Sequence, residues 1–163
     1  MFMLRELEKQ VMKELLQNAK TSDRSLSKKL NISQSTITRV RKELERKGYI
    51  KNYTIMPDFG KLGCEILAFT FVKMRPESRA KTEDLKNYAA NFPNVIYASR
   101  GEGMRMTGVA ISLHKNYTDY VQKLSLLRQD WGQYLEEIES FVVAIGEGTI
   151  KEFSLGYVTE CLQ

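Results

Sequence analysis

The feature that most restricts the fold is a pair of helix patterns joined by a three-residue turn within residues 20–51. Leu26 and Leu30 lie about one helical turn apart, and Asn31 can adopt the left-handed conformation that ends a helix. Ser33 is a suitable N-cap for the helix that follows it. We therefore interpret this stretch as the centre of a helix-turn-helix unit.

The flanking residues complete this unit. The preceding segment predicts an amphipathic first helix, with an inner face made of Leu4, Leu7, Val11 and Leu15. The third helix is expected over 34–47, ended by Gly48, with an inner face made of Ile37, Val40 and Leu44. Residues 49–56 resemble a strand, but no partner strand follows closely, so any wing is rudimentary. Residues 1–60 are expected to form a (winged) helix-turn-helix domain.

The periodicity changes after residues 57–63, whose proline, aspartate and glycines are typical of a domain boundary. Strands are predicted at 65–74, 95–98, 109–113 and 138–145, and helices at 78–92 and 117–131. A glycine-rich bend separates the two middle strands, and the tail 150–162 can add a short strand. The order β-α-β-β-α-β is that of a ferredoxin-like sandwich. The fold class is therefore α+β, with residues 61–163 as the second domain.

All the excess positive charge of the chain lies in the first domain. The whole chain has a net charge of +5, and residues 1–60 hold 13 Lys/Arg against 7 Asp/Glu. The other 103 residues hold 12 against 13. Such asymmetry indicates a basic module that binds a polyanion, joined to a module with a different role.

The predicted third helix leaves short polar and cationic side chains outside its apolar face. The major groove of DNA admits one α-helix, and such side chains suit base edges and phosphates. The N-terminus of a helix also favours a phosphate. The candidate DNA-binding residues are Ser33, Gln34, Ser35, Thr36, Thr38, Arg39, Arg41, Lys42 and Arg46. Double-stranded DNA is the predicted partner, with binding that weakens steeply as salt rises.

Other chemistries find little support in the sequence. His114, the only histidine, has no cysteine near it in sequence and is interpreted as a surface turn residue. The glutamates within 136–139 are better explained as solvent-facing residues at a strand start than as paired catalytic carboxylates. Cys64 and Cys161 lack metal-ligand spacing and are expected to be reduced. We expect no enzyme activity, no catalytic residue, no metal site and no cofactor.

The first and last predicted strands of the second domain are apolar on both sides. One face would cover the helices of the domain, and the other would be exposed in a monomer. Large exposed apolar patches mark interaction sites. We therefore predict a homodimer formed sheet to sheet, which would present two helix-turn-helix units to the halves of a near-palindromic site.

The chain resembles the leucine-responsive regulator/AsnC (Lrp/AsnC) family of prokaryotic transcription factors, and archaeal members in particular. In the first domain the similar segments are 26–30, 32–33, Arg39, 44–50 and 53–54. Residues 65–145 are similar to the second domain of that family. The resemblance implies a DNA-binding regulator that works as a homodimer or an assembly of dimers. It also implies that the second domain mediates dimerisation and senses a small molecule.

Two positions depart from the family pattern. The family usually has a basic residue where Val40 stands and an apolar one where Arg41 stands. Many members carry Gly-x-Tyr/Trp-Asp between the two middle strands, near the amino-acid effector site, whereas this chain reads GEGMRMTG at 101–108. The resemblance makes Gly101, Glu102, Gly103 and Met104 the candidate effector-binding residues. Because the aromatic residue and the aspartate are missing, a changed effector and an absent one both remain open.

The preferred hypothesis is a sequence-specific transcriptional regulator in the cytoplasm. The residues MFMLRELEKQ include acids where a signal peptide would be apolar, and no apolar run approaches the ~20 residues of a membrane span. The alternative is an oligomeric metabolite-binding protein whose basic helices dock on an acidic protein partner. An RNA-binding sheet is disfavoured, because the second domain lacks a basic aromatic motif.

Overall fold

The computed structural model describes residues 4–78, 81–146 and 148–162. The chain divides into two compact units. The first runs up to Met56 and includes the segment from Lys151 onward, and the second spans Pro57–Ile150.

The first unit contains three α-helices. Their bounds are α1 Glu6–Gln17, α2 Asp23–Leu30 and α3 Gln34–Arg46. The Oγ of Ser22 accepts a hydrogen bond from the Ser25 amide at 3.1 Å, and that of Ser33 accepts one from the Thr36 amide at 3.3 Å. Asn31 closes α2 with φ 54°, in the left-handed region. The predicted roles of Asn31 and Ser33 are thus confirmed, and these two residues are what makes the three-residue turn possible.

A glycine terminates α3. Gly48 has φ 74°, and its amide donates to the carbonyl of Glu45 at 2.9 Å. The amide of Tyr49 donates to the carbonyl of Leu44 at 2.9 Å. This pair of hydrogen bonds is a Schellman motif, which satisfies the last carbonyls of the helix and requires a left-handed residue at Gly48. The predicted end of α3 is confirmed.

The three helices of the first unit pack around one apolar core. Its buried side chains are Val11, Leu15, Leu26, Ile37, Val40 and Leu44. They come from all three helices, so each helix buries its apolar face against the other two. The predicted inner faces of α1 and α3 are confirmed.

A buried charge ties the two ends of this bundle together. Glu8 is only 1% exposed, and its carboxylate accepts hydrogen bonds from the backbone amide and guanidinium of Arg5 at 2.7 and 3.0 Å. The Nζ of Lys47, just after α3, donates to it at 3.1 Å. The hydrogen bonds from Arg5 and Lys47 lower the pKa of Glu8 to about 2, although its burial acts in the opposite direction.

The second unit is a βαββαβ sandwich. Its elements are β1 Ile66–Met74, α4 Thr82–Ala90, β2 Val95–Gly103, β3 Met106–His114, α5 Tyr117–Trp131 and β4 Leu135–Ala144. The four strands form one antiparallel sheet in the order β2-β3-β1-β4. The predicted α+β fold class is confirmed.

The sheet has an inner face toward the helices and an outer face away from them. Along β1, Ile66, Ala68 and Thr70 are buried on the inner side, whereas Phe69 and Phe71 on the outer side are only half-buried. The best-packed part of the sandwich lies at one end of β1, around Met74, Trp131 and Leu135. The two faces therefore differ sharply in how well they are covered.

Several predicted details differ from the structure. Residues 49–56 form no strand, so the described part of the first unit has no wing. The predicted helix 78–92 is shorter as α4, and residues 79 and 80 of that prediction lie outside the described residues. The glycine-rich bend is mostly strand, because the turn between β2 and β3 involves only Met104 and Arg105.

The C-terminal tail also differs from its predicted placement in the domain 61–163. Gly156–Leu162 forms a 3-10 helix rather than a strand, and it lies against α1 in the first unit. The strand-like residues of the tail therefore lie against a helix instead of pairing with a strand.

Replacing Glu8 tests the buried charge. Glu8→Gln should lower the free energy of unfolding by about 1–3 kcal/mol near neutral pH, because two cationic partners lose their carboxylate. The folded pKa of Glu8 lies below its ordinary value of 4.5, so its contribution is present above pH 4.5 and disappears as pH falls toward about 2. Urea titrations followed by circular dichroism, at neutral pH and near pH 2, measure the free energy of unfolding of the wild type and the variant.

The matched control is Glu6→Gln, since Glu6 lies on the same helix and is exposed. A Glu8→Gln variant as stable as this control, or a deficit that persists unchanged near pH 2, contradicts the assignment.

Candidate nucleic-acid interface

The packing of α3 determines which of its side chains face outward. Ile37 and Leu44 are 0% exposed and Val40 is 5% exposed. At about 100° per residue, Ser35, Arg39, Lys42 and Arg46 lie on the opposite side of the helix. All four are exposed. This outward row, which we call the α3 ridge, runs the full length of the helix.

Three long side chains along α3 are available to a partner. Gln34, Arg39 and Lys42 are exposed, and none of them makes a side-chain hydrogen bond or ion pair with another residue that the structure describes. Gln and Arg can each form bidentate hydrogen bonds to a base edge, and Lys can neutralise a phosphate. In known helix-turn-helix proteins, residues near the N-terminus of the second helix contact base edges.

The hydroxyl groups at the start of α3 bond to one another. Ser33 Oγ lies 2.8 Å from Thr36 Oγ1 and 3.2 Å from Ser35 Oγ. Ser33 is the N-cap, so its side chain holds the first turn in place. The N-terminus of this helix, with its partial positive charge, is suited to a phosphate group.

Two of the candidate residues, Thr38 and Arg41, contact α2. Arg41 Nε donates to Asp23 Oδ1 at 2.8 Å, and its Nη2 donates to the carbonyl of Thr21 at 2.8 Å. Thr38 Oγ1 donates to Asp23 Oδ2 at 2.7 Å. The side chains of Arg41 and Asp23 are only 17% and 22% exposed. We call these contacts the Asp23 clamp, and it engages the guanidinium of Arg41 within the unit itself.

The Asp23 clamp explains the first departure from the family pattern. Val40 takes a buried position, and Arg41 lies at the border of the buried face, where it reaches across to Asp23. The sequence did show an acid at the start of α2, but the partner of Asp23 is 18 residues away. Helical periodicity alone could not predict that contact.

The remaining cations of the unit divide into paired and unpaired ones. Arg46 makes two hydrogen bonds to Glu43, at 2.6 and 3.0 Å, and Lys29 pairs with Glu14 at 2.6 Å. Among residues 4–56, exposed cations without an ion-pair partner in the described chain include Arg24, Lys28, Arg39, Lys42 and Lys51. These charges favour a polyanion as the partner.

The candidate effector residues lie at the β2–β3 hairpin. Gly101, Glu102 and Gly103 are the exposed end of β2, and Met104 is 72% exposed in the turn. Met104 and Arg105 have φ of 51° and 63°, as in a two-residue turn of type I′. A depression of about 290 Å³ is lined by Arg100, Gly101, Glu102 and Thr107. The β2–β3 hairpin thus places one carboxylate, that of Glu102, at this small polar depression.

The residues considered for other chemistry have ordinary surroundings, with one exception. The glutamates within 136–139 are exposed, and both cysteines are free thiols. His114 was predicted at a surface turn, but this was wrong: it ends β3 and is 4% exposed. Across residues 4–78, 81–146 and 148–162 no cluster of three potential metal ligands occurs, and no helix there is long and apolar enough to cross a membrane.

Comparison with known proteins supports the interpretation of the first unit as a DNA-binding domain. A family of winged helix-turn-helix DNA-binding domains matches residues 4–51. The transcriptional regulator LrpA of Pyrococcus horikoshii is 35% identical over 105 residues, which cover 64% of this chain and 73% of LrpA. An uncharacterized helix-turn-helix regulator of Pyrococcus abyssi is 30% identical over 156 residues, 93% of this chain and 99% of that protein.

Solved structures share the fold. An AsnC family regulator from Agrobacterium tumefaciens has a TM-score of 0.78 at 16% identity and covers 94% of this chain and 99% of its own. A Neisseria meningitidis transcriptional regulator, solved as a complex with L-Met, has a TM-score of 0.77 at 18% identity, with 94% and 95% coverage. By sequence and fold together, the chain belongs to the Lrp/AsnC family of DNA-binding transcriptional regulators.

Proposed function

We propose that this regulator reads DNA as a homodimer, with the α3 ridge of each protomer in one major groove. Gln34, Ser35 and Arg39 contact base edges, and Lys42 and Arg46 contact phosphates. The observation that carries this assignment is that Arg39 and Lys42 are exposed opposite the buried face of α3, that Gln34 is exposed in its first turn, and that none of the three has a partner among the described residues. Ser33 and Thr36 present the N-terminus of the helix to a phosphate.

Thr38 and Arg41 have a different role in this proposal. Both are engaged with Asp23 at 2.7–2.8 Å, so they orient α3 against α2 rather than contact DNA. In a helix-turn-helix, the first helix of the pair crosses the backbone and the second enters the groove. The angle between them therefore decides whether the α3 ridge can follow the groove, and the Asp23 clamp holds that angle.

The dimer forms through the outer face of the sheet. The strand register aligns Tyr97, Ile111, Phe69 and Phe141 in one row across all four strands of that face. Tyr97 is 54% and Phe141 is 67% exposed, and such an apolar patch is stabilised when a second copy covers it. A two-fold interface of this kind presents two α3 ridges related by symmetry.

A small-molecule effector at the β2–β3 hairpin completes the proposal. The Neisseria relative in the fold comparison was solved with L-Met. In this chain Gly101 and Glu102 line the hairpin depression, with Gly103 and Met104 next to them in sequence, and the Glu102 carboxylate suits a cationic or hydrogen-bond-donating ligand. Because the regulator acts on DNA, we place it in the cytoplasm.

Replacing Arg39 tests the α3 ridge. Arg39→Ala should weaken binding to the preferred duplex by about 1–3 kcal/mol and relax the base preference at one position. The melting temperature should not change, because the side chain has no partner in the described chain. Fluorescence anisotropy at two salt concentrations measures the affinity. Arg128→Ala removes an exposed charge from α5 and serves as the control; equal effects of the two substitutions would refute the role of Arg39.

Replacing Arg41 gives the opposite pattern. Arg41→Ala should lower the free energy of unfolding by about 1–3 kcal/mol, because the half-buried Asp23 loses its cationic partner. Asp23→Ala should be destabilising as well, and the double variant should lose less than the sum of the two. Urea titration of all four proteins forms a double-mutant cycle. Strict additivity would show that the Asp23 clamp contributes nothing.

Replacing Phe141 tests the dimer. The wild-type protein should have twice the mass of the 18.8 kDa chain at micromolar concentration, and Phe141→Asp should shift it toward the monomer because a charge would be buried in the interface. Light scattering with size-exclusion chromatography measures both masses. Leu126→Asp, on the exposed side of α5, should remain dimeric. A monomeric wild-type protein would remove the proposal.

A further inference from the structure

The second unit contains a cavity of about 720 Å³ between its helices and the inner face of its sheet. The cavity is open along β2, where the lining residues 96–100 are exposed. Ligand sites commonly measure ~300–1,000 Å³. The cavity, which we call the sandwich cavity, therefore has the size of a small-molecule site.

The sandwich cavity exists because the central side chains of the inner face are small. Ala98 of β2, Ala110 of β3 and Thr70 of β1 are aligned across three strands. The adjacent row of the same strands, on the outer face, carries Tyr97 and Ile111 with other large side chains. The side chains large enough to fill the space under the helices thus lie on the outer face of the sheet, and the inner face has small ones.

The roof of the sandwich cavity is apolar. Leu85 and Tyr88 of α4 and Leu124 and Leu127 of α5 line it. Two lysines, Lys86 and Lys123, also border it, but each is paired with an acid on its own helix, at 2.9 and 3.6 Å. The helices therefore offer a hydrophobic wall whose lysine charges are already compensated.

One end of the sandwich cavity carries polar groups that lack partners. His114 is 4% exposed; its Nε2 lies 2.8 Å from Ser112 Oγ, and its Nδ1 has no hydrogen-bond partner in the described chain. The nearest acid, Asp119, is 3.5 Å from that Nδ1, which is too long for a good hydrogen bond. Asn94 Oδ1 is likewise buried without a partner among the described residues. Buried polar atoms are normally satisfied, so this end is suited to a polar group of a ligand.

We propose that the sandwich cavity binds a small, uncharged, largely apolar molecule with one hydroxyl or N–H donor at its head. The donor faces the acceptor Asn94 Oδ1 beside Ser112 and His114, and the apolar body lies along Ala110 and Tyr88. Burial lowers the pKa of His114, so the imidazole is neutral near pH 7 and provides no cation for a carboxylate. This inference is independent of the proposed dimer and of the hairpin effector site.

The probe that tests this site is N-phenyl-1-naphthylamine, an uncharged fluorophore with one N–H donor. Its fluorescence should rise on binding to the full-length protein. Three competitors of equal chain length separate the head groups: 1-octanol, octyl methyl ether and octanoate. We expect 1-octanol to displace the probe at about 5- to 10-fold lower concentration than the ether, the difference of one hydrogen bond, and octanoate to be the weakest.

Three variants locate the binding. Ala110→Leu and, independently, Ala98→Leu should abolish the fluorescence while the melting temperature stays equal or rises, because the added methyl groups extend into the open cavity and not into packed side chains. Asn94→Leu should remove the advantage of 1-octanol over the ether and leave ether binding intact, which a merely structural role of Asn94 would not do. Glu102→Gln, in the hairpin, should bind the probe as the wild type does.

Four results would overturn the proposal. The first is no fluorescence change with wild-type protein, and the second is unchanged probe binding in the folded Ala110→Leu and Ala98→Leu variants. The third is an equal loss of affinity for all three competitors in Asn94→Leu. The fourth is that octanoate binds most tightly of the three competitors. Loss of probe binding in Glu102→Gln would move the site to the hairpin. None of these results depends on DNA binding, so they leave the proposed function untouched.

Discussion

The burial of Ile37, Val40 and Leu44 against α1 and α2 is the constraint on which the proposed DNA-reading surface depends. A helix with its inner side held by three fully packed residues has no freedom to rotate, so its opposite side is determined as well. Arg39 and Lys42 lie on that side because of where Val40 lies. In the proposed interface, the positions of the polar residues thus follow from the packing of the apolar ones.

Polar contacts within the first unit refine that arrangement. Glu8 joins the start of α1 to the residue after α3, and Asp23 joins the start of α2 to the middle of α3. Each is an acid near a helix N-terminus, where the helix dipole already favours a negative charge. The same acids therefore stabilise their own helix and set the position of α3.

The two faces of the sheet in the second unit differ in the size of their side chains. Large side chains such as Phe69 and Phe141 lie on the outer face, whereas alanines and Gly108 lie on the inner one. A Cβ added at Gly108 would lie 3.2 Å from Val72 Cγ2, so β1 and β3 are already in close contact there. The outer face carries the apolar row that we propose a second copy covers, and the inner face borders the sandwich cavity.

Much of the fold could be predicted because local signals agreed with the tertiary structure. Ser33, Asn31 and Gly48 adopt the conformations that their residue types favour, and the apolar periodicity identified the core of the first unit. The order of strands and helices in the second unit followed from alternating patterns. In these places each residue acts through neighbours close to it in sequence.

The errors came from contacts between residues distant in sequence. Arg41 looked like an outward cation until Asp23, 18 residues earlier, was found to hold it. The sequence predicted a surface turn for His114, but the residue is buried and its ring packs edge-on against Tyr120 of α5. The β2–β3 turn was placed too broadly, since Met104 and Arg105 adopt left-handed backbone conformations that glycine usually occupies. Residue type alone does not encode such pairings.

Selection of bound duplexes from a random DNA library tests the central claim most directly. Two α3 ridges held by a symmetric dimer should enrich a near-palindrome whose half-sites are centred about 10–10.5 base pairs apart, or a multiple of that spacing. Enrichment of a single asymmetric half-site would contradict the symmetric arrangement of the two ridges. Recovery of unenriched random sequence would contradict sequence reading by α3 altogether.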